Sequence, residues 1–268
     1  MTSAVPNMQA KDPARPARSF TRAEFEQAYS DVVLGNHFFE AAAYYHEHKT
    51  RYRRTLEHVA ALPLPPQADI LDVGGGQIAL LCGRLFDDRG VVADVNEKYA
   101  DALTRFNTRF VQCDLLHDDI PDRDAFDLVA LCEVIEHMPI PPHQVLEKVK
   151  AWIRPGGYLL ITTPNLYRLR NVIRLALGRE IFCTFYYPPR GQSLGHPLEY
   201  DRKQLTWHIE HAGFVTRYVR HQQLVNVGST PITKIARVLA APFLTVPRWR
   251  DQLIAVAQKP MNDVSHAP

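Results

Sequence analysis

No apolar run in this chain approaches the length that spans a bilayer, and its first residues hold no apolar signal core. The expectation is a cytoplasmic protein. Cysteine is scarce: Cys82, Cys113, Cys132 and Cys183 are scattered with no C-x-x-C pair, which excludes a disulfide scaffold and fits a reducing compartment. An excess of charge is also lacking, with 31 Lys and Arg against 29 Asp and Glu, a formal net charge of +2. So small an excess gives no argument for nucleic acid, and no RNA-binding module accompanies the arginines. No internal repeat is present. With 46% hydrophobic and 22% charged residues over 268, the composition is that of a globular protein with room for one sizeable α/β core plus additions.

The most informative stretch is Ile70-Leu71-Asp72-Val73-Gly74-Gly75-Gly76-Gln77, an apolar run ending in an acid and three glycines, followed by the apolar segment 78–86. This pattern predicts a buried strand, a tight turn and a helix. Glycine lets a ligand lie against the backbone, and a helix start offers unpaired N–H groups to a carboxylate or phosphate. Asp72 can accept from a ligand ammonium or fix the turn itself. Donors and a carboxylate side by side suit a zwitterionic amino-acid tail better than a pyrophosphate.

Along the chain, 1–19 reads as a disordered tail and 20–65 as an N-terminal helical cap, with aromatic and apolar residues at three- and four-residue intervals and a Thr21/Glu24 capping box. An α/β domain follows over 66–260, with less regular insertions at 165–197 and 224–250, and 261–268 forms a second tail. Strands are predicted at 70–73, 91–94, 110–113, 126–132, 158–163, 214–220 and 252–258, with helices at 97–106 and 142–153 and another that Asp201 and Gln204 start and Gly213 stops. Apolar runs without alternation predict strands buried on both faces, hence a mostly parallel sheet covered by helices.

Three acids then fall at comparable places: Asp72 ends the first strand, Asp94 the second and Asp114 the third. A carboxylate at the second suits a ribose, and one past the third suits the exocyclic amine of an adenine. The same turn also fits G-x-G-x-x-A, with Asp94 about twenty residues on, as in a nicotinamide or flavin oxidoreductase. Against that, Asp72 would sit beside a pyrophosphate, and Glu133-Val134-Ile135-Glu136-His137-Met138-Pro139 and Pro155-Gly156-Gly157 would have no role.

Together, ILDVGGGQ, VVADVN, CDLL, FDLVALCEVIEHMP and IRPGGYLLITTPN, in this order over 68–165, resemble the class I S-adenosylmethionine-dependent methyltransferases. Within them the chain is similar to the branch of the ubiquinone-biosynthesis O-methyltransferases. The resemblance implies a Rossmann-like seven-stranded sheet with only the last strand antiparallel, and S-adenosyl-L-methionine as cofactor. It implies that Asp72, Gly74 and Gly76 hold the methionine part, Asp94 and Val95 the ribose, Asp114 and Leu115 the adenine, and that Glu133 borders the sulfonium. Gln77 departs from the small or polar residues usual there.

Methyl transfer is an in-line displacement in which positioning and desolvation supply much of the catalysis. An unactivated hydroxyl needs a base as well, and His137 is the candidate, the alternative being that Glu136 and His137 cap and orient their loop. His196 and Glu199, in Gly195-His196-Pro197-Leu198-Glu199-Tyr200, form an acid/base pair or substrate contacts; alternatively His196 caps a helix and Tyr200 is core. No metal is expected. His46 and His48 read as exposed helix positions, and Asp118-Asp119 as solvated charge.

The two insertions carry arginines and favour an anionic acceptor. The stretch 231–244 mixes apolar and cationic residues at near-helical spacing, as a lid on its own domain or a helix in a membrane interface. The sequence thus predicts O-methylation of a small molecule or saccharide, anionic or lipid-linked. An N- or C-methyltransferase, a NAD-type oxidoreductase and a non-catalytic methyltransferase-like scaffold are the alternatives.

Overall fold

The computed structural model describes residues 18–35, 42–97, 100–182, 198–224, 235 and 238–262. Most of the two expected tails, the later part of the first insertion with His196, and much of the earlier part of the second lie outside the described residues.

The chain enters through α1 (Arg22–Tyr29), where Thr21 and Glu24 close the expected capping box. A π-helical turn follows at Ser30–Leu34, and then α2 (Ala42–Ala60). Arg18, assigned to the tail by its sequence, is instead pinned: its guanidinium pairs with the buried Asp88 at 2.6 Å and its N–H donates to Ala60 O at 3.0 Å.

Seven strands then alternate with helices: β1 (Asp69–Val73), α3 (Gln77–Phe86), β2 (Arg89–Asp94), α4 (Ala100–Thr104), β3 (Arg109–Gln112), β4 (Phe126–Cys132), α5 (Pro142–Trp152) and β5 (Ile153–Pro164). After β5 come α6 (Leu169–Ala176), α7 (Arg202–His211), β6 (Val215–Gln222) and β7 (Gln252–Gln258). The order across the sheet is β3-β2-β1-β4-β5-β7-β6, and β7 alone runs against its neighbours. The reversal at β1/β4 puts the crevice of an open α/β sheet over the C-terminal strand ends.

Period-two alternation divides the core into two layers. Leu71, Val73, Ala93, Val129, Leu131 and Ile161 face α5 and α7. Ile70, Val92, Leu128, Ala130 and Leu160 face α1, α2 and α3. Because both faces are covered, the strands read as continuous apolar runs. Of the predicted helix over 97–106, residues 98 and 99 lie outside the described residues, α4 ends at Thr104, and Asn107 is left-handed (φ 53°). β5 begins five residues earlier than predicted, because Ile153 pairs with Phe126 before a register shift, and Gly156 and Gly157 lie inside the strand.

Candidate active site

Register brings the three acids to one edge of the sheet. Asp72 lies opposite Val92 on β2, Gly74 N donates to Ala93 O at 2.9 Å, and Asp94 lies opposite Gln112, with Cys113 N donating to Asp94 O at 2.9 Å. Asp72, the glycine turn, Asp94 and Asp114 therefore follow one another along the C-terminal ends of β1, β2 and β3. Gly74 and Gly76 hold φ of 82° and 91°, in the region that excludes most side chains, and a Cβ on Gly74 would meet Val134 Cγ2 at 2.9 Å. A Cβ on Gly76 would likewise meet Val92 Cγ2 at 3.0 Å, so both the backbone conformation and the close packing of the turn require glycine.

Asp72 is buried and turned toward α3, where Oδ2 accepts from Ile78 N (2.8 Å) and Ala79 N (3.2 Å). Of the two roles open to it in the sequence, fixing the turn is the one its contacts show. The N–H groups expected to be free at the start of α3 are thus partly taken by Asp72, which leaves less for a pyrophosphate and counts against the dinucleotide reading. Burial pushes the Asp72 carboxyl up to about 7 against the hydrogen bonds from Ala79, Ile78 and Gly76, with Asp94 adding to the rise. Burial also raises Asp94, whose Oδ1 accepts from Asn96 N at 2.8 Å. Val95 receives Gln112 Nε2 on its carbonyl at 3.4 Å.

Asp114 braces its own loop. Oδ1 accepts from Leu116 N (2.9 Å), Oδ2 lies 3.1 Å from His117 Nδ1, and its N–H donates to Asp118 Oδ2 at 3.0 Å. The Leu115 side chain is buried, and Lys148 Nζ clasps the loop by donating to Leu115 O and Asp118 O, each at 2.7 Å. The Asp118-Asp119 pair is therefore not simply solvated charge, since Asp119 Oδ1 also takes the Trp152 indole N–H at 2.7 Å.

After β4 the backbone makes an unusual turn. Glu133 has φ 59°, rare for a residue with a side chain, and its N–H donates to Thr162 O at 2.9 Å. Its carboxylate has three partners: Thr162 Oγ1 at 2.9 Å, Gln252 Nε2 at 3.0 Å and the Arg51 guanidinium at 3.3 Å. Burial opposes the charge on Arg51, but Glu133 and the neighbouring tyrosines outweigh it and hold its pKa above the ordinary value. Glu136 is completely buried, and Thr163 Oγ1 donates to Oε2 at 3.0 Å. Its Oε1 has no hydrogen-bond partner among the described residues. Burial, then Glu133, lifts its carboxyl well above the usual range. His137 closes a single 3-10 turn, Ile135–His137, half-buried, and its N–H donates to Val134 O at 3.0 Å.

Glu199 lies beyond β5, next to the bridge that Tyr200 makes with Asn165. It is buried, paired with Arg168, and accepts from Asn171 Nδ2 at 2.6 Å. Burial raises its carboxyl against the pull of Arg168. Tyr200 is core.

Sequence reasoning missed Arg51, Thr162 and Gln252. Arg51 stands among four basic residues in 49–54, and the signal was its spacing: Tyr44, His48, Arg51 and Thr55 form one helical stripe beside the buried Tyr45, Tyr52 and Leu56. His48, read as exposed, is half-buried with its ring 4.2 Å from that of Tyr44, and burial and then Arg51 push it down to about 4. The unusual Gln77 is buried and donates to Tyr45 OH at 3.4 Å, so it joins the turn to the helical cap.

The profile of the methyltransferase domain family matches residues 44–219. A mitochondrial ubiquinone biosynthesis O-methyltransferase of Candida albicans is 40% identical over 48 residues, which are 18% of this chain and 14% of that enzyme's length. Among solved structures, a protein assigned as a methyltransferase and complexed with the Haloferax volcanii Trm112 methyltransferase activator superposes with a TM-score of 0.58 at 16% identity, covering 90% of this chain and all of that one. The Burkholderia thailandensis 1,6-didemethyltoxoflavin-N1-methyltransferase, solved with S-adenosylhomocysteine, gives 0.51 at 18% identity over 91% and 93%. These folds agree with the seven-stranded order described above. With the family profile matching residues 44–219, from α2 into β6, the chain belongs to the methyltransferase domain family and is a methyltransferase.

Proposed function

We propose that this enzyme takes a methyl group from S-adenosyl-L-methionine and places it on an oxygen of a small molecule or saccharide that carries negative charge. The observation that carries the reading is the succession of Asp72, Gly74, Gly76, Asp94 and Asp114 along adjoining strand ends, a cradle for an amino acid joined to a nucleoside. When bound, the cofactor supplies an electrophilic methyl group on a sulfonium. Gly74 and Gly76 admit the methionine part and Asp72 holds their turn. Asp94, with the Val95 backbone, accepts the ribose hydroxyls. Asp114 and Leu115 frame the adenine on the loop that Lys148 clasps.

Glu133 sets a carboxylate beside the reacting centre. Thr162, Gln252 and Arg51 fix its direction, so little reorganisation is left for the moment of transfer. His137, on the turn after Glu133, takes the proton of an acceptor hydroxyl. Glu199, tied to Arg168 and Asn171, positions the start of α6 beside the acceptor pocket, and His196 stands with it in the proposal as a substrate contact. Arg168, Arg170 and Arg174 support an anionic acceptor.

Among the described residues, no helix is long and apolar enough to cross a membrane. Within 231–244, where 231–234, 236 and 237 lie outside the described residues, exposed Val238, Leu239 and Phe243 support a place on the cytoplasmic face of a membrane.

The test is calorimetric titration of the purified chain with S-adenosyl-L-methionine and its demethylated product, followed by an acceptor screen that reads formation of that product. Saturable binding of both and turnover with an anionic hydroxylated acceptor are expected. Absence of binding, or turnover confined to amines or carbon acids, overturns the reading.

A further inference from the structure

Helix α6 is built inside out. A surface helix of a globular protein turns its apolar stripe to the core and its polar face to water. Among the residues of α6, Asn171 is the buried one, and its Nδ2 donates to Leu166 O (3.0 Å) and Glu199 Oε2 (2.6 Å). Just before it, Arg168 pairs with Glu199. The helix is thus moored to the body through polar side chains. Leu169 and Val172 are half-buried, while the apolar side chains toward its C-terminal end lie outward: Ile173 is 50% exposed, Leu175 58% and Leu177, at the C-terminal cap, 63%. Ile173 and Leu177, four residues apart, lie on one side of the helix, and exposed apolar side chains grouped in this way mark an interaction surface.

A second segment with exposed apolar side chains is tied to the root of α6. Asn165 Nδ2, at the root of α6, donates to Arg248 O (2.8 Å) and Arg250 O (2.7 Å), and the Arg248 guanidinium lies 4.2 Å from the centroid of the Tyr167 ring. Just ahead of this junction stand exposed Val238, Leu239 and Phe243. Nine of the thirteen large apolar side chains exposed among the described residues lie in these two segments, 169–182 and 235–246, so the exposure is concentrated and not the scatter every surface shows.

Charge decides what covers it. Residues 169–182 hold Arg170, Arg174 and Arg179 against Glu180, and 238–250 hold Arg248 and Arg250 with no acid, while the whole chain is nearly neutral. Nucleic acid would match the cations but not the aliphatic face. A second copy of this chain would set one arginine-rich face against another. An anionic bilayer surface meets both demands, taking Ile, Leu and Phe at the acyl boundary and arginine at the headgroups. We infer that α6 and the 238–246 segment form a docking face that seats this methyltransferase on anionic lipid. The proposal rests on the membrane-facing placement above and on no feature of the methyl-donor site.

The experiment is co-sedimentation of the full chain with phosphatidylcholine vesicles and with phosphatidylcholine–phosphatidylglycerol vesicles. The wild type is compared with Ile173→Glu/Leu177→Glu and Arg170→Ala/Arg174→Ala. The wild type should sediment with the anionic vesicles alone, and less so as salt rises. The glutamate pair should lose roughly tenfold or more in partitioning, because burying one large aliphatic side chain is worth about a factor of ten. The alanine pair should lose less and show a weaker salt dependence. Three results overturn the inference: no binding to either vesicle, equal binding to both, or binding unchanged in the glutamate pair. A dimer in solution that the glutamate pair splits, without vesicle binding, assigns the face to a second copy and also overturns it. S-adenosyl-L-methionine titration of the same preparations separates the two readings, since its failure beside intact vesicle binding sinks the methyl-transfer assignment alone.

Discussion

Arg51 of the helical cap and Glu133 of the loop after β4 face each other at 3.3 Å, both side chains largely withdrawn from water. This pair joins the N-terminal helices to the C-terminal edge of the sheet. Removing one partner of such a buried pair leaves the other charge uncompensated, at a cost of about 3–5 kcal/mol. Arg51→Met should therefore lower the urea midpoint at neutral pH, and Arg51→Met/Glu133→Gln should recover much of the loss. A single variant as stable as the native protein would remove the ion pair from the account.

Asp72 predicts a pH dependence. Burial holds its carboxyl at about 7, against 3.8 for an exposed one, so the folded state keeps a proton that the unfolded chain has already released. The contribution of this group is complete below the lower value, falls as pH rises and levels off above the higher one. Asp72→Asn keeps an oxygen to accept from Ile78 and Ala79 N–H but does not ionise. Stability measured by urea across that window should fall less steeply in the variant. Parallel curves for the two proteins would refute the assignment.

Most of the sheet was legible because its strands are covered on both faces. Ile70 and Leu71 on β1, and Leu128 and Val129 on β4, alternate between the two cores, yet all four are apolar, so the runs have no gaps. The strand-end acids could be read for the same reason, since each interrupts an apolar run. Arg51, Thr162 and Gln252 could not. Their role depends on three separate elements meeting at Glu133; the helical stripe marks Arg51 as turned inward, but nothing local names a partner more than eighty positions away, as in its pairing with Glu133. The direction of the Asp72 carboxylate was likewise invisible, because cap and ligand contact require the same residue at the same place.

Asp94 tests the donor site. Its place at the end of β2 gives the proposed ribose a charged acceptor, and losing hydrogen bonds to a charged group weakens binding by about ten- to a hundredfold. Asp94→Ala should show that loss for both S-adenosyl-L-methionine and its demethylated product in calorimetry, while the fold survives. Equal affinities in variant and wild type would move the ribose elsewhere.

His137 separates chemistry from binding. It sits half-buried on the turn that begins two residues after Glu133, clear of the strand-end acids proposed to hold the donor. A general base contributes about 10²–10⁴-fold to a rate and nothing to donor affinity. With an acceptor from the screen, His137→Ala should lower kcat by a factor in that range and leave donor titration unchanged. His137→Gln, which restores a hydrogen-bonding side chain but no base, should not recover the rate. A loss of donor binding alongside the rate, or recovery in the glutamine variant, would make His137 a brace for the Glu133 turn and leave proton removal to another group.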